Sequence, residues 1–142
     1  MNDRFKFRAW AKPHEPTKTE GYYVDDADYM VMTSDGKAQI EYYCDNGYDG
    51  YIDSFEQDEI IIEQCTGLKD KNGKLIYEGD IVEIIDRENS NTLDRTYPML
   101  FNEKVAKFGY KHPDGHFFYH SNNDDYSYEV IGNIHENSYL LD

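Results

Sequence analysis

Apolar and polar positions alternate over short stretches along this chain, and the stretches are bounded by turn residues. Phe5, Phe7 and Ala9 alternate with Lys6, Arg8 and Trp10, which predicts a half-buried strand over 4–10. Lys12 to Pro16 reads as a loop, because each proline removes a donor and biases its predecessor toward extended backbone. Tyr22 to Val24 and Tyr29 to Met32 predict two short strands, and Ser34 to Lys37 a turn. Gln39 to Tyr43 fits a strand or a short helix, and Ile40 with the paired tyrosines favours the strand. The bare run Ile60-Ile61-Ile62 predicts an interior strand buried on both faces.

The sharpest turn signal is Asn72-Gly73. A type I′ turn needs positive φ at both central residues, which glycine adopts freely and asparagine better than most. Ile60 to Leu68 and Lys74 to Tyr77 become the arms of a hairpin, with Lys69, Lys71 and Lys74 as a small basic tip. Gly67 and Gly79 flank it and allow sharp bends, and Ile81 to Ile85 starts a new strand. The polar stretch 86–97 reads as a long connection. A strand follows over 100–110 around Val105, Ala106 and Phe108. His112-Pro113-Asp114-Gly115 fits a turn, with His116 to His120 returning from it. Residues 121–125 turn again, Tyr126 to His135 is the final strand, and Asn137 to Leu141 one helical turn plugging an end. The resulting fold class is mainly β with little helix. An N-terminal antiparallel β-sheet region, residues 1–64, is joined to a small SH3-like C-terminal β-barrel, residues 65–142.

Three pieces of the chain carry a family resemblance. Thr66 to Lys74, followed by Ile76 to Val82, resembles the hallmark of the YopX-like proteins of phages and prophages of low-GC Gram-positive bacteria. Phe5 to Trp10 is similar to that family's opening strand, and Val130 to Asn137 with Leu140 and Leu141 to its closing stretch. Residues 11–59 and 86–129 carry no matching motif. The resemblance implies a mostly β fold and a phage context, and it brings no catalytic residues.

Composition narrows the picture. A chain of 142 residues is one domain, or two small lobes. With 14 Tyr and 7 Phe against 4 Met, its core is aromatic, and so many hydroxyls imply a Tyr-bearing surface. Cys44 and Cys65 have no metal-site spacing, and sparse cysteine without a signal peptide or long apolar run places the chain in a reducing cytoplasm with no membrane partner. The phage resemblance implies that this is the host cytoplasm. The net charge is −15, and residues 20–63 hold thirteen acidic residues against Lys37 alone. Such a field opposes nucleic-acid backbone over that stretch.

Two clusters offer metal chemistry. Set against a twelve-residue calcium loop, Asp45, Asp49, Asp53 and Glu56 fall at the first, fifth, ninth and twelfth positions, and Gly50 at the sixth. Gly47 at the third position removes a ligand, so an acidic turn is the competing reading. His112, His116 and His120 flank one hairpin turn, where exposed histidines without metal are the competing reading. No P-loop, dinucleotide fingerprint or Gly-x-Ser-x-Gly is present, so no enzyme and no cofactor is expected.

The leading expectation is a non-enzymatic module that binds a host or phage protein, with a homo-oligomer also admitted. The first alternative is a small β-barrel binding single-stranded nucleic acid by stacking on Phe117, Phe118, Tyr119, Tyr126 and Tyr128, near Lys104, Lys107 and Lys111. The second is an acidic mimic of DNA, carboxylates standing in for phosphates.

Overall fold

The computed structural model describes residues 6–13, 20–24, 29–32, 38–42, 51–56, 58–88, 92–119 and 125–141, which form thirteen strands and one 3-10 turn. The chain divides into two units, Arg8–Ile62 and Met1–Phe7 with Glu63–Asp142.

In the first unit, β1 (Phe7–Ala11) pairs antiparallel with β2 (Tyr22–Tyr23), setting Trp10 opposite Tyr23. The Trp10 and Tyr23 rings meet edge to face at 4.9 Å, and the Arg8 guanidinium lies 4.5 Å over Tyr23. Ala9, Trp10 and Ala11 are all buried and Phe7 is exposed, so the expected alternation fails here. Gly21 leaves the space that Trp10 fills, since a Cβ there would come within 2.6 Å of the indole. A meander of β3 (Tyr29–Met32), β4 (Ala38–Tyr42) and β5 (Tyr51–Phe55) follows, with Ile40 opposite Met30 and Asp53. The ambiguous stretch after Ala38 is therefore a strand.

The long strand β6 (Ile60–Lys69) carries the chain into the second unit. Of the isoleucine triplet only Ile60 is buried, and burial passes instead to Glu63 and Cys65. A β-branched run marks the strand here but not two covered faces.

β7 (Leu75–Tyr77) returns along β6 through a turn that differs from the expected type I′. Asp70 Oδ1 accepts the amides of Asn72 and Lys74, and the Gly73 amide donates to the Asp70 carbonyl. That carboxylate holds a type I turn closed by one left-handed residue, Gly73 at φ 82°, and Asn72 keeps a negative φ. Asp70 Oδ2 accepts the Val130 amide and Lys71 pairs with Glu129, so the tip is docked and Lys71 is neutralised, while Lys69 and Lys74 are exposed.

Next come β8 (Asp80–Asp86) and β9 (Thr92–Pro98), then β10 (Leu100–Asn102), β11 (Lys107–Lys111), β12 (Phe117–Tyr119) and β13 (Tyr126–Asn133). They make two three-stranded sheets, ordered β13-β8-β9 and β10-β11-β12. The polar stretch after Asp86 is thus mostly strand, because Thr92, Thr96 and Tyr97 pair with β8. Val105 and Ala106 lie in a turn rather than a strand. Asn102 captures the amides of Lys104 and Val105, and Ala106 takes a φ of 52°. The His112 turn matches expectation and repeats the bonding of the Asp70 turn, with Gly115 left-handed.

Met99 is the whole link between β9 and β10 and is fully buried, its backbone bonded to Gly79 and Asp80. It joins Ile76, Val82, Ile84, Tyr97 and Tyr128 in a core against which Phe108 and Tyr110 pack. The final turn is a 3-10 helix over Ser138–Leu141, tied down by Thr96 Oγ1 donating to the Leu140 carbonyl at 2.7 Å. It buries no residue, so it clasps β9 rather than plugging an end.

Candidate functional site

Alternation along β11 places Phe108, Tyr110 and His112 on one side and Lys107, Gly109 and Lys111 on the other. Pairing sets Phe118 opposite Tyr110, and their rings stack at 5.5 Å. Tyr110 stacks in turn on Tyr97 at 4.6 Å. The result is a row of three rings, Tyr97, Tyr110 and Phe118, that runs from the core to the surface. Gly109 allows the close packing below it, because a Cβ there would strike the Phe118 carbonyl.

The row walls a cavity of about 390 Å³. Ile84 adds apolar surface, and His112, Asp114 and Tyr126 give it a polar rim. Tyr126 is 40% exposed and Phe118 46%, so the opening faces solvent. Asp114 Oδ1 accepts the His116 amide at 2.9 Å, and this bond, with help from both histidine rings, holds the carboxyl below its ordinary range. His112 Nδ1 accepts the Asp114 amide and also lies 3.0 Å from Oδ2. The site therefore offers ring faces and a fixed negative charge at its edge.

The five aromatic residues singled out from the sequence do not form one surface. Phe118 and Tyr126 line the cavity. Tyr128 is a core residue whose hydroxyl proton is held more tightly by burial. Phe117 and Tyr119 share the opposite face of the hairpin, 5.4 Å apart, where Lys107 Nζ lies 4.9 Å over the Tyr119 ring. Tyr97, Tyr110 and Asp114 were missed. The period-two spacing of Phe108, Tyr110 and His112 was the available signal; nothing comparable marks Tyr97 inside its polar stretch.

Of the proposed calcium ligands, Asp45 and Asp49 lie outside the described residues. Asp53 sits within β5, and the Glu56 amide donates to the Glu59 carboxylate at 2.8 Å. His120 also lies outside, while His112 and His116 converge on Asp114 at 3.0 and 3.1 Å. Among the described residues there is no group of three or more potential metal ligands, and no helix long and apolar enough to cross a membrane.

The stretch that carries the family resemblance builds architecture. Thr66 Oγ1 donates to the Ile76 carbonyl, Asp70 closes the hairpin, and Asp80 Oδ2 accepts the Tyr77 amide. Gly79, at φ 82°, packs where a Cβ would meet Glu63 Oε1 at 2.5 Å. In the closing stretch, Asn133 Oδ1 accepts the amides of His135 and Glu136, and Asn137 Oδ1 accepts that of Asn133.

These features define a mainly β protein whose motif residues fix turns and whose surface presents an aromatic cavity. The model of the YopX protein family matches residues 6–142, and the chain belongs to that family. It is similar over its whole length to the crystal structure of protein yopX from Bacillus subtilis, with 19% identity, 100% of both chains covered and a TM-score of 0.68; that likeness shows the fold. Protein EF1440 from Enterococcus faecalis is 28% identical, with 96% of this chain and 97% of that chain covered and a TM-score of 0.52. Among curated proteins nothing matches.

Proposed function

We propose that this chain is a non-enzymatic interaction module that holds a segment of a phage or host protein against its aromatic cavity. The row Tyr97, Tyr110 and Phe118 carries this reading. Concave, mostly apolar sites with a few polar groups at their edge are where small segments bind. The same reading takes residues 65–142 as a small SH3-like barrel; what supports it is that β8 pairs with β13 and that Met99 alone separates β9 from β10. Aromatic-lined grooves on such barrels take extended peptides. The host cytoplasm as the place of action rests on the phage context of YopX-like proteins.

The test uses the purified protein and its Phe118→Ala and Tyr126→Ala variants, each checked for an unchanged β spectrum. A partner identified from host lysate is purified and rebound. Affinity lower by about tenfold in either variant supports the cavity as the site. Equal affinity in all three rejects it.

One observation favours a second reading, the binding of single-stranded nucleic acid. Phe117, Tyr119, Lys107 and Lys111 share the outer face of β11 and β12, which joins stacking surface to positive charge. Against it, Glu78 and Glu103 line the same hollow as Lys104, Lys111 and Phe117. A gel shift with oligothymidylate at low salt decides, and unshifted oligonucleotide ends this reading. The DNA-mimic reading rests only on the thirteen acidic residues in 20–63, most of whose side chains lie outside the described residues.

A further inference from the structure

We propose that the aromatic cavity receives an arginine side chain of the partner polypeptide, its guanidinium lying against the Tyr110 and Phe118 rings and donating to Asp114 Oδ2. This rests on the reading of the cavity as a protein-docking site and names the chemistry of what enters it.

Three observations select this occupant. The walls are ring faces, whose negative quadrupole attracts a flat cation. The rim holds Asp114, whose two oxygens are unequally used. Oδ1 accepts the His116 amide at 2.9 Å and lies 3.1 Å from His116 Nδ1. Oδ2 has one polar neighbour among the described residues, His112 Nδ1 at 3.0 Å, and a carboxylate oxygen accepts two hydrogen bonds. Oδ2 thus keeps acceptor capacity beside the cavity. The third observation is the net charge of −15, which draws basic segments and repels acidic ones.

Competing occupants fit less well. An aliphatic side chain fills the cavity but shields the Asp114 carboxylate from water without replacing the lost hydrogen bonds, which costs binding energy. A carboxylate or phosphate meets repulsion at the rim. A lysine ammonium satisfies Asp114 but is a compact, strongly hydrated charge, whereas guanidinium stacks on rings and donates within its own plane.

The experiment is an NMR titration of the intact protein with three peptides, Gly-Gly-Xaa-Gly-Gly, in which Xaa is arginine, lysine or norleucine. The arginine peptide is expected to shift Tyr110, Phe118 and Asp114 resonances. It should bind at least about tenfold more tightly than the norleucine peptide and more tightly than the lysine peptide. Asp114→Asn keeps an oxygen for the His116 amide and should lose about tenfold in arginine affinity while the rest of the spectrum is unchanged. Equal binding of arginine and norleucine, or arginine binding indifferent to Asp114→Asn, overturns the proposal. Oligothymidylate shifting these resonances in place of the arginine peptide also overturns it. If no peptide binds but the purified partner still loses affinity in Tyr126→Ala, the arginine assignment falls and the docking site stands. If the partner is indifferent as well, both fall.

Discussion

Nε2 of His135 lies 2.6 Å from Oε1 of Glu63, 72 residues away in sequence, with the two side chains only 11% and 3% exposed. The contact ties the closing stretch of the chain to β6. Gly79, bonded through its carbonyl to the Ile134 amide, packs beside the same carboxylate. Removing the imidazole takes a 2.6 Å partner from a buried carboxyl group, a loss that typically costs about 3–5 kcal/mol. His135→Ala is therefore expected to lower the urea midpoint sharply. Glu63→Gln keeps an oxygen for the ring and should cost about 1–2 kcal/mol. A loss in His135→Ala no greater than in Glu63→Gln would show that the pair does not hold the closing stretch.

Asp70 makes a second long-range tie. Its carboxylate accepts the amides of Asn72, Lys74 and, 60 residues away, Val130. The Val130 amide is available because β13 is an edge strand of its sheet, and on the same edge the Tyr128 carbonyl accepts the Lys71 amide. Asp70→Ala should destabilise by about 2–4 kcal/mol, since the hydrogen bonds go to a charged group and the Val130 amide is half-buried. Asp70→Asn retains the two local bonds and should cost roughly half as much. Hydrogen exchange separates the contributions: the Val130 amide loses protection in both variants, more than global unfolding alone explains.

Asp70 also shows how far the sequence could be read. Asn72-Gly73 announced a hairpin, and the hairpin is there. The turn type followed from Asp70, a side chain two residues upstream whose amide contacts no local pattern reports. Thr92 to Arg95 read as a connection because polar residues dominate it, yet β-branched Thr92 and Thr96 pair with β8 once that partner is in place. Val105 misled in the opposite direction. Its β-propensity yielded to Asn102, which captures two amides of the turn, and the side chain is 46% exposed. The cavity was half legible: Phe118 and Tyr126 stood out as aromatic, but Tyr97 reaches the site only through the sheet pairing. Phe117 and Tyr119 were grouped with them by composition, and the pleat sends them to the other face.

Glu78 makes the fold pH-sensitive. Burial is the main force pushing its carboxyl above the ordinary range, opposed by a hydrogen bond from the Gln64 backbone and reinforced by the Glu63 and Glu103 carboxylates. A carboxyl raised on folding binds its proton more tightly in the folded state. Its ionised form therefore costs stability at neutral pH, and the cost is lifted as pH falls through the folded value toward the unfolded one. Glu78→Gln should be more stable than the parent at pH 7, by less than about 1 kcal/mol because the group is partly solvated. The gain should close by roughly pH 4. Urea melts of both proteins across that range measure it, and a gain that persists in acid would assign it to packing rather than charge.

Ala106 sits in the left-handed region at φ 52° with its side chain exposed. Glycine relieves the clash of Cβ with the backbone, a gain of about 1 kcal/mol, and adds freedom to the unfolded chain that offsets part of it. Ala106→Gly is expected to be neutral to slightly stabilising in a thermal melt, against the usual loss for Ala to Gly in ordered structure. A loss near 1 kcal/mol would mean that the turn does not hold this φ in solution.

Gly73 and Gly79 share a φ of 82°, and their surroundings separate strain from space. A Cβ on Gly73 meets nothing within 4 Å, whereas one on Gly79 meets Glu63 Oε1 at 2.5 Å and Cδ at 3.0 Å. Gly73→Ala therefore pays only for left-handed backbone, about 1–2 kcal/mol. Gly79→Ala adds a collision with a carboxylate already fixed by His135, and yielding there disturbs the buried pair, so the total should exceed about 3 kcal/mol. The two variants compared by chemical denaturation isolate that excess. If both cost the same, Glu63 has room to move and its contact with His135 is looser than 2.6 Å implies.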